Sequence, residues 1–351
     1  MENAILSGGA ERGKDEITFG VFADLHMDIM PDPEARLDAF LAGAKAANVD
    51  FIIQLGDFSF WTVPEAGLGP AGGKESSSGL AGSKEGGQEA DLNPGGGRLN
   101  RAYEKLKHEL MGRFRSAGAP SYFVLGNHDM ERCSKEEAVE AHKMGGRYYT
   151  FTCKGWQCFV LDANNFRDAS GETVGFSHGN FYHKDQPYID PEQMRWLGRE
   201  LGASDMPAVV FSHQELNQSA EGIKNSGELR RLFRGANAKR RRVYLCVNGH
   251  MHVDALCEQD GVYYYNVNSI SNYYCGEDYR HSRYSPEVER AFPELRHTFP
   301  YTEPLYAIVT ASRRGMRVKG VRGGFLPPPP AELGFHDPSV TPSIIDREVV
   351  F

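Results

Sequence analysis

Two histidines stand one residue apart in "CVNGHMHVD", at positions 250 and 252, just past an apolar run. An extended chain points residues i and i+2 to the same side, whereas a helix would part them. His250 and His252 can therefore face one target together. Taken alone, the pair reads equally well as a strand running out into a surface loop. What decides is whether other residues of the same chemistry stand at equivalent places. Four further stretches do: "DLH" with Asp24 and His26, "GD" with Gly56 and Asp57, "GNHD" from Gly126 to Asp129, and "SH" with Ser212 and His213. Asp, Asn and His offer oxygen and nitrogen donors without thiolate, a set that suits divalent Mn, Fe, Zn, Co or Ni rather than a structural zinc. The donors of five such stretches exceed one tetrahedral ion but fit two ions sharing a carboxylate. Two ions about 3.5–4 Å apart can clamp the attacking and leaving oxygens of a phosphoryl displacement. The neighbouring glycines permit sharp turns and close approach.

These stretches need a scaffold that brings them together. "ITFGVFAD" (17–24) and "DFIIQLGD" (50–57) read as buried strands. Between them 33–47 reads as a helix, with Leu37, Phe40, Leu41 and Ala44 on one face and Pro33 in its first turn. That is a β-α-β unit. Further strands are predicted at 121–129, 207–214 and 241–252, with 262–269 and 304–320 adding others and 148–164 forming a hairpin or two successive strands. Helices are predicted over 99–114 and over 190–201, the latter with Asp190 as N-cap, Pro191 next and Gln193 completing a capping box. In α/β sheets ligands bind beyond the carboxyl ends of strands, so five polar tips on successive strands are expected to share one cleft.

Residues 62–98 contain eleven glycines and almost no large apolar groups, so burial cannot offset their ordering entropy. They read as a low-complexity insertion in a single domain over 1–325, a tolerated insertion before a lid. "PPPP" (327–330) opens a Pro-rich tail, 326–351, with no clear period. The formal charge of −8 disfavours a dedicated nucleic-acid binder. No apolar run approaches a membrane span, and the opening stretch lacks a signal peptide's basic start and apolar middle. A cytoplasmic protein with reduced cysteines is expected; none of the six forms a CxxC pair.

In this order, "DLH…GD…GNHD…SH…GHMH" resembles the calcineurin-like metallophosphoesterases over residues 17 to about 270. The resemblance implies a four-layer α/β/β/α sandwich with two mixed sheets. It implies two metal ions (Mn, Fe or Zn): Asp24, His26 and His252 hold the first, Asn127, His213 and His250 the second, and Asp57 bridges them. A hydroxide between the ions would attack phosphorus in line. His128 would act near the leaving oxygen, as proton donor or transition-state stabiliser. Many relatives carry a second Asp three residues after the bridging one, which orients this His. Here that position is Phe60, which leaves open what orients His128 and gives weight to a purely electrostatic role.

Weaker candidates for substrate contact are Arg167 in "NFRD", His183 in "NFYHKD", and Asn268 and Tyr273 in "NVNSISNYY". "KRRR" (239–242) reads as a solvated helix end or loop. His108 reads as exposed and inert, and His142, His178, His281, His297 and His336 match no motif. The expected function is hydrolysis of a small soluble phosphodiester or nucleotide pyrophosphate, with a phosphomonoesterase second. Protein phosphatases are disfavoured because the fuller "GDxxDRG" signature is absent. A family member kept as a non-catalytic scaffold, and a nuclease, come last.

Overall fold

The computed structural model describes residues 16–59, 96–182, 184–218, 220 and 222–351. Phe60, His183 and residues 62–95 of the glycine-rich insertion lie outside them. The strands of the first half are β1 Ile17–Phe22, β2 Phe51–Gln54, β3 Ser121–Phe123, β4 Tyr149–Cys153, β5 Trp156–Val160, β6 Asn165–Arg167, β7 Thr173–Gly175 and β8 Ala208–Phe211. Those of the second are β9 Val243–Asn248, β10 Ala255–Gln259, β11 Val262–Asn266, β12 Asn272–Tyr274, β13 Thr298–Pro300, β14 Ala307–Ser312, β15 Gly315–Lys319 and β16 Arg347–Val350. The helices are α1 Pro33–Ala46, α2 Gly96–Arg115, α3 Lys135–Ala141, α4 Pro191–Ala203, α5 Ser226–Asn237 and α6 Pro286–Ala291.

Two six-stranded mixed sheets dominate, ordered β16-β15-β14-β1-β2-β3 and β10-β11-β9-β8-β5-β4. β1 and β2 run parallel in register Phe19 with Phe51, as the β-α-β reading requires, and β5, β8, β9 and β11 are parallel neighbours. The central strands are buried on both faces, hence their unbroken apolar runs. One core lies between the sheets: Phe19 meets Phe211 edge-on at 5.4 Å, and Phe51 meets Phe151 at 5.2 Å. Outside the first sheet, Leu37 and Phe40 of α1 and Phe114 of α2 pack with Phe22. Outside the second, Leu197 of α4 and Leu229 and Phe233 of α5 pack with Phe159 and Val210. Helix, sheet, sheet and helix thus follow one another through three cores, and cutting one such Phe to Ala costs about 3–5 kcal/mol.

Some elements differ from the sequence-based expectation. Asp190 caps α4 by accepting from the N–H groups of Glu192 and Gln193, but the Gln193 side chain bonds the backbone of Asp162 instead of closing a capping box. The complete box is on the unpredicted α3, between Ser134 and Glu137. The run 304–320 is a hairpin of two strands, and the tail beyond 326 carries β16, which pairs with β15 and joins the first sheet. That strand is short, with exposed residues alternating along it, so its period was too brief to register.

Candidate metal centre

Each expected ligand sits just past the carboxyl end of a strand: Asp24 and His26 after β1, Asp57 after β2, Asn127 after β3, His213 after β8, His250 and His252 after β9. Five of the ten non-glycine residues with positive φ among the described residues are in this set: Asp24, His26, Asp57, His250 and His252. The left-handed step costs an L-residue roughly 1–2 kcal/mol, and such outliers gather at functional sites. Here the step swings a side chain into the cleft while the backbone bonds the next tip, as Asp24 N–H to Gly56 O at 3.1 Å and His26 N–H to Asp57 O at 3.2 Å. Two glycines make room. A Cβ on Gly126 would lie 2.1 Å from Asp57 Oδ1, and one on Gly249 would lie 2.7 Å from Ala23 Cβ.

The donors fall into two groups, Asp24 with His26 and His252, and Asp57 with His213 and His250. In the first, His252 Nε2 is 3.3 Å from His26 Nε2 and 3.4 Å from Asp24 Oδ1. In the second, His213 Nε2 lies 3.2 Å from Asp57 Oδ2, 3.1 Å from His250 Nδ1 and 3.1 Å from Asn127 Oδ1. The groups adjoin, since Asp24 Oδ1 is 4.0 Å from His213 Nε2. His250 and His252 therefore belong to different groups, although two residues apart. His213 Nδ1 donates to Leu55 O and His252 Nδ1 to Asn272 O, leaving Nε2 toward the cleft. Asp24 Oδ2 accepts the His250 N–H, whereas Asp24 Oδ1 is buried without any hydrogen-bond partner. A buried carboxylate oxygen ringed by imidazole nitrogens fits a cation, and the oxygen and nitrogen donors fit a first-row ion.

The electrostatics agree. Burial alone would raise the Asp24 carboxyl, but His252, His213 and His26 hold it well below the usual range. Burial, then the neighbouring His252, drives His26 far down, and burial with His213 takes His250 to about 3. Both rings are neutral lone-pair donors at neutral pH. Burial would also lower His213 and His128. For His213, Asp57 and Asp24 prevail, and for His128, Asp57 and Glu131 prevail, raising each to about 9.

Around this centre the structure adds supporting roles that motif reading did not assign. Asp129 accepts the N–H groups of Gly126 (2.9 Å), Asp57 (3.1 Å) and Phe58 (3.2 Å), tying the loop after β3 to the loop after β2. Ser269 and Ser271 hydroxyls both donate to Asp24 O. Asn164 donates to Leu125 O and accepts from Gln214, bracing the tips that carry Asn127 and His213. Glu131 accepts from His128 Nδ1 at 2.8 Å and from the Tyr182 hydroxyl.

The weaker candidates scatter. Arg167 is exposed, with its guanidinium 5.0 Å over Tyr188. Tyr273 is half-buried against Phe335 at 5.5 Å. Asn268 is fully buried, and its amide is taken by Thr341 O, Ser343 O and the Tyr301 hydroxyl. It pins the tail, with its amide group turned to the protein interior. Of the "KRRR" run, Lys239 and Arg240 are exposed just past α5, as expected of a solvated helix end, whereas Arg241 stacks on Tyr244 at 4.6 Å and buried Arg242 reaches Gln157. His142, without a motif, is buried 3.8 Å behind Asp129.

A family model for the calcineurin-like phosphoesterases matches residues 17–254. Among solved structures, a dimetal phosphatase from Danio rerio is similar at a TM-score of 0.55 and 14% identity, covering 88% of this chain and 98% of that one. An archaeal phosphodiesterase aligns over 87% of this chain and 100% of its own at 12% identity and a TM-score of 0.34. The anchor in the inner membrane complex of Plasmodium aligns over 88% and 84% at 14% identity and a TM-score of 0.46. No curated protein matches the chain in sequence.

Proposed function

Because this chain belongs to the calcineurin-like phosphoesterase family, we propose that it is a two-metal hydrolase of small soluble phosphate esters, favouring phosphodiesters and nucleotide pyrophosphates over phosphomonoesters. One observation carries the two-metal reading: the buried Asp24 Oδ1, without a hydrogen-bond partner and set between two groups of imidazoles. Asp24, His26 and His252 would hold one ion, Asn127, His213 and His250 the other, with Asp57 shared. Such ions, Mn, Fe or Zn, would supply positive charge to a phosphoryl group and lower the pKa of an attacking water. The chain's own part is to keep His26 and His250 neutral, to aim His213 and His252 through the Leu55 and Asn272 carbonyls, and to place His128 beside the cleft as the group nearest the leaving oxygen. Arg167, His183 and Tyr273 are the remaining candidates for substrate contact.

The diester preference rests on the sequence after Asp57, "FSF", which departs from the protein-phosphatase signature. A nuclease is disfavoured because Arg241 and Arg242 are engaged within the fold. Among the described residues no helix is long and apolar enough to cross a membrane, and six free cysteines accord with the cytoplasm. The test is turnover of bis-p-nitrophenyl phosphate against p-nitrophenyl phosphate by Mn-loaded protein, with bound metal measured in parallel. Faster release from the diester, with about two ions per chain, is expected. Bound metal without turnover of either ester would favour a scaffold.

A further inference from the structure

The resemblance leads one to expect a second Asp three residues after Asp57 as the orienter of His128, and the sequence here has Phe60 at that position. The fold supplies a carboxylate from elsewhere. Asn127 leads into a short 3-10 turn, His128–Met130, and Glu131 follows it. Side chains three apart on such a turn eclipse one another, which sets Glu131 Oε1 2.8 Å from His128 Nδ1. The pair is shielded, with side-chain exposures of 17% for His128 and 11% for Glu131, unlike a surface ion pair of little consequence.

Both partners are also held from outside. The His128 backbone N–H donates to Asp57 Oδ1 at 2.9 Å, and its ring meets His26 edge-on at 5.7 Å. Glu131 accepts from the Tyr182 hydroxyl. Tyr182 comes from a separate loop, whose Gly179 N–H donates to Met130 O. Gly179 has φ +67°, and a Cβ there would lie 3.3 Å from Glu131 Oε2. The loop therefore closes directly on this carboxylate. Phe181 anchors it by stacking on buried Phe176 at 4.3 Å.

We infer that Glu131, held by Tyr182, is the positioning residue that fixes His128 as a directional proton donor to the leaving oxygen. The inference rests on the phosphoesterase reading above. A carboxylate on Nδ1 fixes the tautomer and the ring plane and leaves Nε2 as the working nitrogen; mere charge near the phosphate would need neither. In the step, a water oxygen forms the new bond to phosphorus and sheds one proton to solvent. The bond from phosphorus to the leaving oxygen breaks with its electron pair on that oxygen. The proton on His128 Nε2 passes to it, completing the alcohol, and solvent restores the ring.

The test compares wild type, Glu131→Gln and Tyr182→Phe on aryl phosphodiesters whose leaving groups run from p-nitrophenol to phenol. A lost proton donor hurts poor leaving groups most. Glu131→Gln is expected to lower kcat about 10–100-fold for phenol and less than about 3-fold for p-nitrophenol, with KM and bound metal unchanged. Tyr182→Phe should act in the same direction by about 3–10-fold. Being partly exposed, it carries the comparison if Glu131→Gln does not fold. Equal losses across the series, or a change in KM alone, would overturn the inference. A second measurement needs no turnover: in ¹⁵N-histidine-labelled protein, His128 Nδ1–H should appear as a slowly exchanging low-field proton that moves in Glu131→Gln. Its absence from wild type overturns the Glu131 clamp. Its presence without turnover of any ester removes the phosphoesterase reading, and the donor step with it, but not the clamp.

Discussion

Two clusters of buried charge lie at the ends of the strands and behave oppositely. Around Lys135, every group is matched. Its ammonium donates to Asp162 Oδ2 (2.7 Å), Asn164 O (2.6 Å) and Asn165 Oδ1 (2.9 Å), while Arg147 spans Asp162 and Asp190. None of Lys135, Asp162, Arg147 or Asp190 has positive φ. Around Asp24 the backbone is left-handed at five residues and one carboxylate oxygen has no hydrogen-bond partner. The first cluster is built for the folded state; the second spends conformational energy to hold donors toward a cation. Charge burial by itself marks neither function nor stability, whereas a deficit of partners together with backbone strain marks the site.

The contrast can be broken from either side. The largest effect expected is on activity: Asp24→Asn should lower turnover on the order of 10³-fold while moving the thermal midpoint of the metal-free protein little. A large fall in that midpoint would mean that Asp24 serves the fold. Lys135→Met should do the reverse. It leaves Asp162 buried beside one remaining cation and should cost about 3–5 kcal/mol in urea unfolding, with bound metal per folded chain retained.

Next in size is a pH effect. Burial, against the opposing pull of Asp129, takes His142 down to about 4. The unfolded chain therefore binds a proton between its ordinary value near 6.5 and about 4 that the folded chain refuses. The stability from this group is whole above 6.5 and is lost as pH falls through that window, by as much as about 3 kcal/mol. Urea midpoints at pH 7.5 and 4.5 should differ more in wild type than in His142→Phe; equal differences would discount the group. Gly249→Ala, whose Cβ would press on Ala23 and stand 3.0 Å from Asp24 Oδ2, should cost about 1–3 kcal/mol and weaken metal binding, read by titration calorimetry. Smallest is Arg167→Ala, within about 0.5 kcal/mol in stability; a raised KM would place it on the substrate path.

The two donor clusters were legible because each donor is adjacent in sequence to the strand that carries it, so local pattern locates both. The support was not. Asp129 and Asn164 act on tips brought near by folding, with Asp129 reaching 72 residues back to Asp57 and Asn164 reaching 50 on to Gln214. Tyr182 meets Glu131 across 51 residues. No spacing rule covers such pairs. Asn268 illustrates the opposite error: a polar residue close in sequence to a motif was expected at the substrate, but the fold turned it to the tail. Glu131 alone left a usable trace, His and Glu three apart at the start of a turn.

The two ligand groups also set a timetable. His250 lies 226 residues beyond Asp24 and His252 the same distance beyond His26. During synthesis at 5–20 residues per second, roughly 10–45 s separate the first donors from the last. Neither group is complete until both strand halves have emerged and docked. The nascent chain therefore has neither donor group complete until His250 and His252 have been made, late in its synthesis.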